Sequence, residues 1–180
     1  MLKKILLILA ALVVVLFAVI AMQPADFSVS RSTTVNAPPS APFAQVNDFR
    51  NWAGWSPWLK MDPDTKVTFD GPAEGKGAKY AWVSQKTGEG NMTILESQAN
   101  ERILIDLIFV KPFAGDNDVE FTFKPEGNGT TVTWTMTGKN SFMGKAFSLF
   151  MSMDKMVGGE FEKGLADIKA AAEAPAPAAN

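Results

Sequence analysis

Two stretches decide the fold: FSVSRSTTVNAP at residues 27–38 and SFMGKAFSLFMSMDKMVGGEFEKGLADIK at residues 141–169. In the first, Phe27, Val29, Arg31, Thr33 and Val35 alternate with Ser and Thr, a period-2 pattern that predicts a half-buried strand ended by Ala37-Pro38-Pro39. In the second, Met143, Phe147, Phe150, Asp154, Val157, Phe161, Leu165 and Ile168 step by three or four, which predicts one long amphipathic helix from Ser141 to about Ala172. Ser141 is its expected N-cap. Gly144, Gly158, Gly159 and Gly164 lower its intrinsic propensity by about 1 kcal/mol each. Packing must therefore hold this helix, and Gly158-Gly159 is the expected place for a kink or a close approach.

Between these two stretches, Phe43, Val46 and Phe49 lead to Trp52, a short amphipathic helix ending near Ala53-Gly54, and Trp55-Ser56-Pro57-Trp58 reads as a turn. Six strands follow, at about 65–70, 78–84, 90–98, 102–110, 117–124 and 130–138, separated by short Gly- and Asn-containing turns. With the first strand they make an antiparallel sheet of about seven strands. A strongly curved sheet closing on one long helix is an α+β arrangement with space between its layers.

The N-terminus is different. Lys3 and Lys4 precede ILLILAALVVVLFAVIAM (5–22), a run long enough for a helix of ~27 Å. An uncleaved membrane anchor fits this length, whereas a cleavable signal has a shorter apolar region; Val19 and Ala21 nevertheless offer a small-residue cleavage motif. Both lysines lie before the run, so the N-terminus is expected in the cytoplasm and the rest outside it, or secreted if the segment is cleaved. Only Gln23, Pro24 and Ala25 separate the run from the first strand, which would hold the domain close to the bilayer. The expected organisation is an anchor or signal at 1–25, one domain at 26–172 and an unstructured Ala/Pro tail at 173–180.

Composition narrows the chemistry. The 180 residues contain no His and no Cys, with 17 basic against 19 acidic side chains. Disulfides, thiolate metal sites, thiol nucleophiles and Ser-His triads are excluded. A formal charge of -2 gives no basic footprint for nucleic acid. Asp62 and Asp64 lack further ligands at metal-binding spacing, and the Gly71, Gly75, Gly77 loop matches no phosphate-binding pattern. No metal or cofactor is expected. The two Asn-x-Thr sites, at Asn91 and Asn128, matter only in a glycosylating pathway. Against these exclusions stand 13 Phe, five Trp and nine Met.

The run at 27–38, the cluster Trp52-Ala53-Gly54-Trp55-Ser56-Pro57-Trp58, Lys111-Pro112-Phe113, GTTVTWTMTG (129–138) and the C-terminal block 138–169 together resemble the START-like (Bet v 1-like) superfamily. The nearer likeness is to its bacterial polyketide cyclase/dehydrase-type branch, also called SRPBCC. The resemblance covers about residues 26–170. It implies the helix-grip fold, with a cavity between the sheet and the C-terminal helix, and leaves function open among carriers, receptors and cyclases.

Candidate ligand-binding residues follow from strand phase and aromatic content. Trp52, Trp55 and Trp58 form either an aromatic wall at the cavity mouth or a core plug. Ile105, Leu107 and Phe109 share the face that excludes Asp106, and Trp134 and Met136 share the face opposite a row of threonines. Tyr80 and Trp82 are assigned inward by the same alternation. Phe147 and Met151 come from the helix, where Met also serves as ordinary filling. Asp154, the one charge on the apolar stripe, either meets a ligand's polar head or pairs with a cation such as Arg31. The expected function is carriage or sensing of a small hydrophobic molecule or lipid by a membrane-tethered extracytoplasmic domain. The alternative is a cyclase- or dehydratase-like enzyme using Asp154, Arg31 or Tyr80; a closed protein-binding module is a third reading.

Overall fold

In a computed structural model, which describes residues 2–175, the chain begins with a helix, α1 (Leu2–Ala21). It is long and apolar enough to cross a membrane and, apart from Ile20, exposed along its whole length. The domain starts at β1 (Asp26–Val35). Next come α2 (Ser40–Asn47), a 3-10 turn at Phe49–Asn51, α3 (Trp52–Trp55) and α4 (Pro57–Met61). The meander is β2 (Lys66–Asp70), β3 (Lys79–Ser84), β4 (Gly88–Gln98), β5 (Arg102–Lys111), β6 (Gly115–Glu126) and β7 (Gly129–Lys139). Two helices close the chain, α5 (Phe142–Ser148) and α6 (Met153–Glu173).

The seven strands form one antiparallel sheet in the order β1-β7-β6-β5-β4-β3-β2. β1 pairs with β7 along its whole length, Asp26 opposite Lys139 and Val35 opposite Thr130, which makes the first strand a neighbour of the last. Register shifts at Glu89/Gly90 and Ile94/Glu96 interrupt the β4–β5 ladder, and such bulges bend a strand and increase its twist. The inward phases are those expected from alternation. Ile103, Ile105 and Leu107 on β5, Phe121 and Phe123 on β6, and Val132, Trp134 and Met136 on β7 are buried. Their neighbours Leu104, Asp106 and Ile108 are only half-buried on the outer face.

α6 lies across β1 and against α2, α3 and α4, gripping one face of the sheet. Phe161, Leu165 and Ile168 are its buried stripe. Lys60 on α4 meets Asp167 on α6 at 2.7 Å and fastens the short helices to the long one.

Two expectations need correction. The segment from Ser141 is two helices, not one. Ser141 caps α5, accepting from Gly144 N at 3.2 Å, and Ser152, in extended conformation, caps α6 by accepting from Lys155 N. The three-four spacing of apolar residues runs straight through the break, whereas Ser152 with Asp154 two residues later is an N-terminal signature that restarts the helix. The backbone remains helical through Gly158-Gly159. Likewise, Trp55 to Trp58 is more than a turn, because Pro57 occupies the first position of α4, where its missing N–H costs nothing. Residues 176–180, most of the expected tail, lie outside the described residues.

Candidate functional site

The interior of the grip is a continuous stack of aromatic rings. Alternation along β7 turns Trp134 inward, opposite Phe121 on β6, and their rings stack at 4.9 Å. Phe161 of α6 lies parallel to the Trp134 indole, with centroids 4.1 Å apart and planes 6° apart. Trp55 and Trp58 meet the same indole edge-on at 5.6 and 5.7 Å. Trp52 touches Trp55 at 4.5 Å. Gly164 permits this packing, since a Cβ there would sit 2.8 Å from the Trp134 ring and 3.3 Å from Pro57.

The indole N–H groups divide these tryptophans. Trp52 Nε1 donates to Val46 O at 3.0 Å, and Trp55 Nε1 donates to Gln45 O at 2.9 Å. Both are tied to the α2 backbone as structural anchors. Trp134 Nε1 has no acceptor and is the one buried side-chain polar atom left unpaired among the described residues. An orphaned buried donor costs about 1–3 kcal/mol, so it calls for a partner.

Burial is graded along the sheet. Ile103, Ile105, Phe121 and Val132 are completely covered, whereas Met136, Met92, Asn117, Leu107 and Trp82 retain 5–9% exposure. The less covered residues lie toward the end of the sheet where β1 and β6 begin and α1 enters. Half-buried Phe27, Phe109, Met153 and Val157 border them. Asn117 is the only polar side chain in this group, and its Nδ2 reaches Leu107 O at 3.5 Å, the outer limit of a hydrogen bond. It shares the inward phase of Val119, Phe121 and Phe123, so strand alternation also identifies it, although composition draws the eye to the aromatics instead.

Of the residues expected to line a cavity, Trp52, Trp55, Tyr80, Trp82, Ile105, Leu107, Trp134 and Met136 are buried, and Trp58 and Phe109 are half-buried. Phe147 and Met151 are not among them. They stand about half exposed on the outside, because the chain breaks between α5 and α6 and carries them off the sheet. The centre of the grip is filled by rings rather than open. Two surface depressions lie elsewhere: a groove of about 450 Å³ between α4 and α6, lined in part by Lys60, Lys163 and Asp167, and one of about 280 Å³ over β2, β3 and β4.

The charged candidates are at the rim. The Arg31 guanidinium donates to both carboxylate oxygens of Asp154, at 2.8 and 3.1 Å, and to Glu162 at 2.8 Å. It crosses the helix at Gly158, where any Cβ would collide with it. Hydrogen bonds from Arg31 hold the Asp154 carboxyl below its ordinary value and keep Arg31 charged. Tyr80 is enclosed by Phe49, Phe69 and Trp82, and burial pushes its phenol up to about 12. Asp62 is buried, accepting from Ser84 Oγ at 2.6 Å, and serves to clamp α4 to the β3–β4 hairpin. Among the described residues no group of three or more acidic side chains is placed to hold a metal ion.

The sequence profile of the family described as "polyketide cyclase / dehydrase and lipid transport" matches residues 26–173. The chain belongs to this family. Solved structures with the same fold include the protein TTHA0849 from Thermus thermophilus, at 21% identity over 81% of this chain and 97% of that one, with a TM-score of 0.58. The di-domain ARO/CYC BexL of the BE-7585A biosynthetic pathway shares 15% identity over 88% of this chain and 54% of its own, with a TM-score of 0.61. The Aha1 dimer from Colwellia psychrerythraea shares 13% identity over 82% of this chain and 96% of its own, with a TM-score of 0.58. At these identities the likeness concerns the fold of the family. No curated protein sequence matches the chain.

Proposed function

We propose that this chain is a membrane-tethered, extracytoplasmic binding domain for a small apolar molecule or lipid, held between the sheet and α6. The observation that carries this reading is the unpaired indole N–H of Trp134, a lone donor inside an otherwise apolar aromatic interior. Trp is a donor only, so the matching ligand presents an acceptor, such as an ester, ketone or carboxyl oxygen, on an apolar body. The more accessible end of the sheet, with Trp82, Leu107, Phe109, Met136 and Asn117, is the route by which such a molecule enters. Entry displaces rings rather than filling an existing void, and the start of α6, with half-buried Met153 and Val157, is the cover that moves.

The family description spans lipid transport and cyclase or dehydrase chemistry. The residues favour binding. Arg31 and Asp154 neutralise each other at the surface, Asp154 is a weaker base for it, and Tyr80 stays protonated without a charged neighbour in its ring cage. General acid–base work needs a group poised near the working pH and within reach of substrate. In the same reading α1 is retained as the anchor, with Lys3 and Lys4 on the cytoplasmic side. Indole-¹⁵N NMR of the full chain tests the binding site, with the Trp134 signal assigned through Trp134→Phe. Adding an acceptor-bearing apolar compound shifts that signal further than those of Trp52 and Trp55, whose N–H groups keep their α2 carbonyls. Saturation with no movement of the Trp134 signal would place the ligand elsewhere.

A further inference from the structure

The structure exposes a second apolar surface that the grip does not use. Phe150 is 87% exposed, Phe113 58%, Phe147 53%, Met151 52%, Met143 51% and Phe142 46%. They are neighbours in space, with Phe113 and Phe147 ring centroids 6.0 Å apart. Isolated apolar residues on a surface are ordinary, but a contiguous group of large ones marks a contact surface. Lys145 is the one charge between Ser141 and Ser152, and it turns away to donate to Ala21 O at the C-terminal end of α1, at 3.3 Å.

We infer that α5 and the segment to Ser152, with Phe113, dock in the interfacial layer of the same bilayer that α1 spans. Continuity with α1 fixes this occupant. Phe142 of α5 stacks on Phe17 of α1 with centroids 5.4 Å apart, and Asn140 N donates to Ala25 O at 2.7 Å, closing the short connection between helix and domain. Phe17 precedes the end of α1 by about one turn, roughly 6 Å along the axis. A bilayer crossed by α1 therefore surrounds α5 at a depth inside the ~5–10 Å at which interfacial helices lie. The rest of the domain is acidic, so the attachment is apolar and does not depend on anionic headgroups. The less covered end of the sheet faces the same side. α5 thus holds the entrance of the grip against the reservoir of apolar ligand.

This inference rests on the proposed anchor, and the test separates the two. The chain has no cysteine, so single-Cys variants can be labelled with an environment-sensitive fluorophore without background. The full chain is placed, one copy per particle, in nanodiscs of zwitterionic lipid carrying doxyl groups at shallow or deep positions. Ala10→Cys reports the anchor, Phe150→Cys the patch, and Asn128→Cys, on the exposed hairpin at the far end of the sheet, serves as the aqueous control. Ala10→Cys should be quenched by the deep groups. Phe150→Cys should blue-shift and lose at least half its emission to the shallow groups, independent of salt, with Asn128→Cys unaffected. A quenched Ala10→Cys beside an unquenched Phe150→Cys overturns the docking and leaves the anchor standing. A blue-shifted Phe150→Cys that lipid does not quench assigns the patch to a protein occupant and equally overturns it. An unquenched Ala10→Cys removes the anchor and the docking with it.

Discussion

Trp134 and Phe161 lie face to face, 4.1 Å between centroids and 6° between planes, and this pair joins the last strand of the sheet to the helix that grips it. Phe161 is 1% exposed, so its removal leaves a void ringed by Trp58 and Trp134. Phe161→Ala is expected to destabilise the domain by about 3–5 kcal/mol in urea unfolding followed by tryptophan fluorescence. A loss under about 1 kcal/mol would mean that α6 is not held by this stack.

Two glycines of α6 are expected to respond in opposite directions. Gly159 has open space where a Cβ would go, so Gly159→Ala gains helix propensity and raises stability by about 0.5–1 kcal/mol. At Gly164 the same methyl meets the rigid Trp134 ring and Pro57. Overpacking of about 1–3 kcal/mol there exceeds the propensity gain, and Gly164→Ala destabilises. Thermal denaturation of the two variants beside the parent checks the sign of each.

The Arg31–Asp154 pair links β1 to the first turn of α6. Because Asp154 is held below its ordinary value, the pair's contribution is present above the unfolded carboxylate's ~3.9 and is lost as pH falls through the lower folded-state value. Asp154→Asn should therefore lower the urea midpoint at pH 6, with the gap to the parent closing as pH falls through that lowered value. A gap that persists in acid would assign the loss to packing.

Asp106 on the outer face behaves the other way. It stands opposite Asp118 across the β5–β6 ladder, and its carboxyl is raised by burial and by Asp116. Its charged form opposes folding at neutral pH, and that opposition disappears as pH falls through the raised value. Asp106→Asn is expected to stabilise at pH 7 by a few tenths to about 1 kcal/mol, after allowance for solvent screening, and to change nothing below about pH 3.5. Paired unfolding curves at the two pH values decide it.

Ligand binding should report the Trp134 N–H by difference. Trp134→Phe keeps an aromatic ring in the stack and removes the donor, so affinity for an acceptor-bearing ligand should fall about 2–12-fold, as a single hydrogen bond would give. Affinity for its hydrocarbon analogue should change much less. Equal losses for both ligands would show that the ring's volume, not its N–H, is what the ligand meets.

The strands were legible because one face of an antiparallel sheet is buried, and alternation on β5 and β7 therefore writes Ile105 or Trp134 as inward without ambiguity. Periodicity was a poorer guide in the C-terminal segment. Phe147 and Met151 keep helical spacing with Phe161, yet the Ser152 cap ends that continuity and leaves them outside the grip. The Arg31–Asp154 contact was one of several partners open to each residue, since charge type does not fix a pairing between positions 123 residues apart. Nor does spacing reveal which tryptophan lacks an acceptor. Trp52 and Trp55 find theirs in carbonyls of α2, and Trp134 finds none, a distinction set wholly by tertiary geometry.

Whether a ligand occupies the grip is read by native mass spectrometry of the full chain, released intact from the membrane in which it was made. A one-to-one non-covalent adduct of an apolar, acceptor-bearing molecule is expected, surviving gentle activation and depleted in Trp134→Phe. A chain that emerges folded and free of any adduct, and stays so after incubation with extracted membrane lipids, would contradict it.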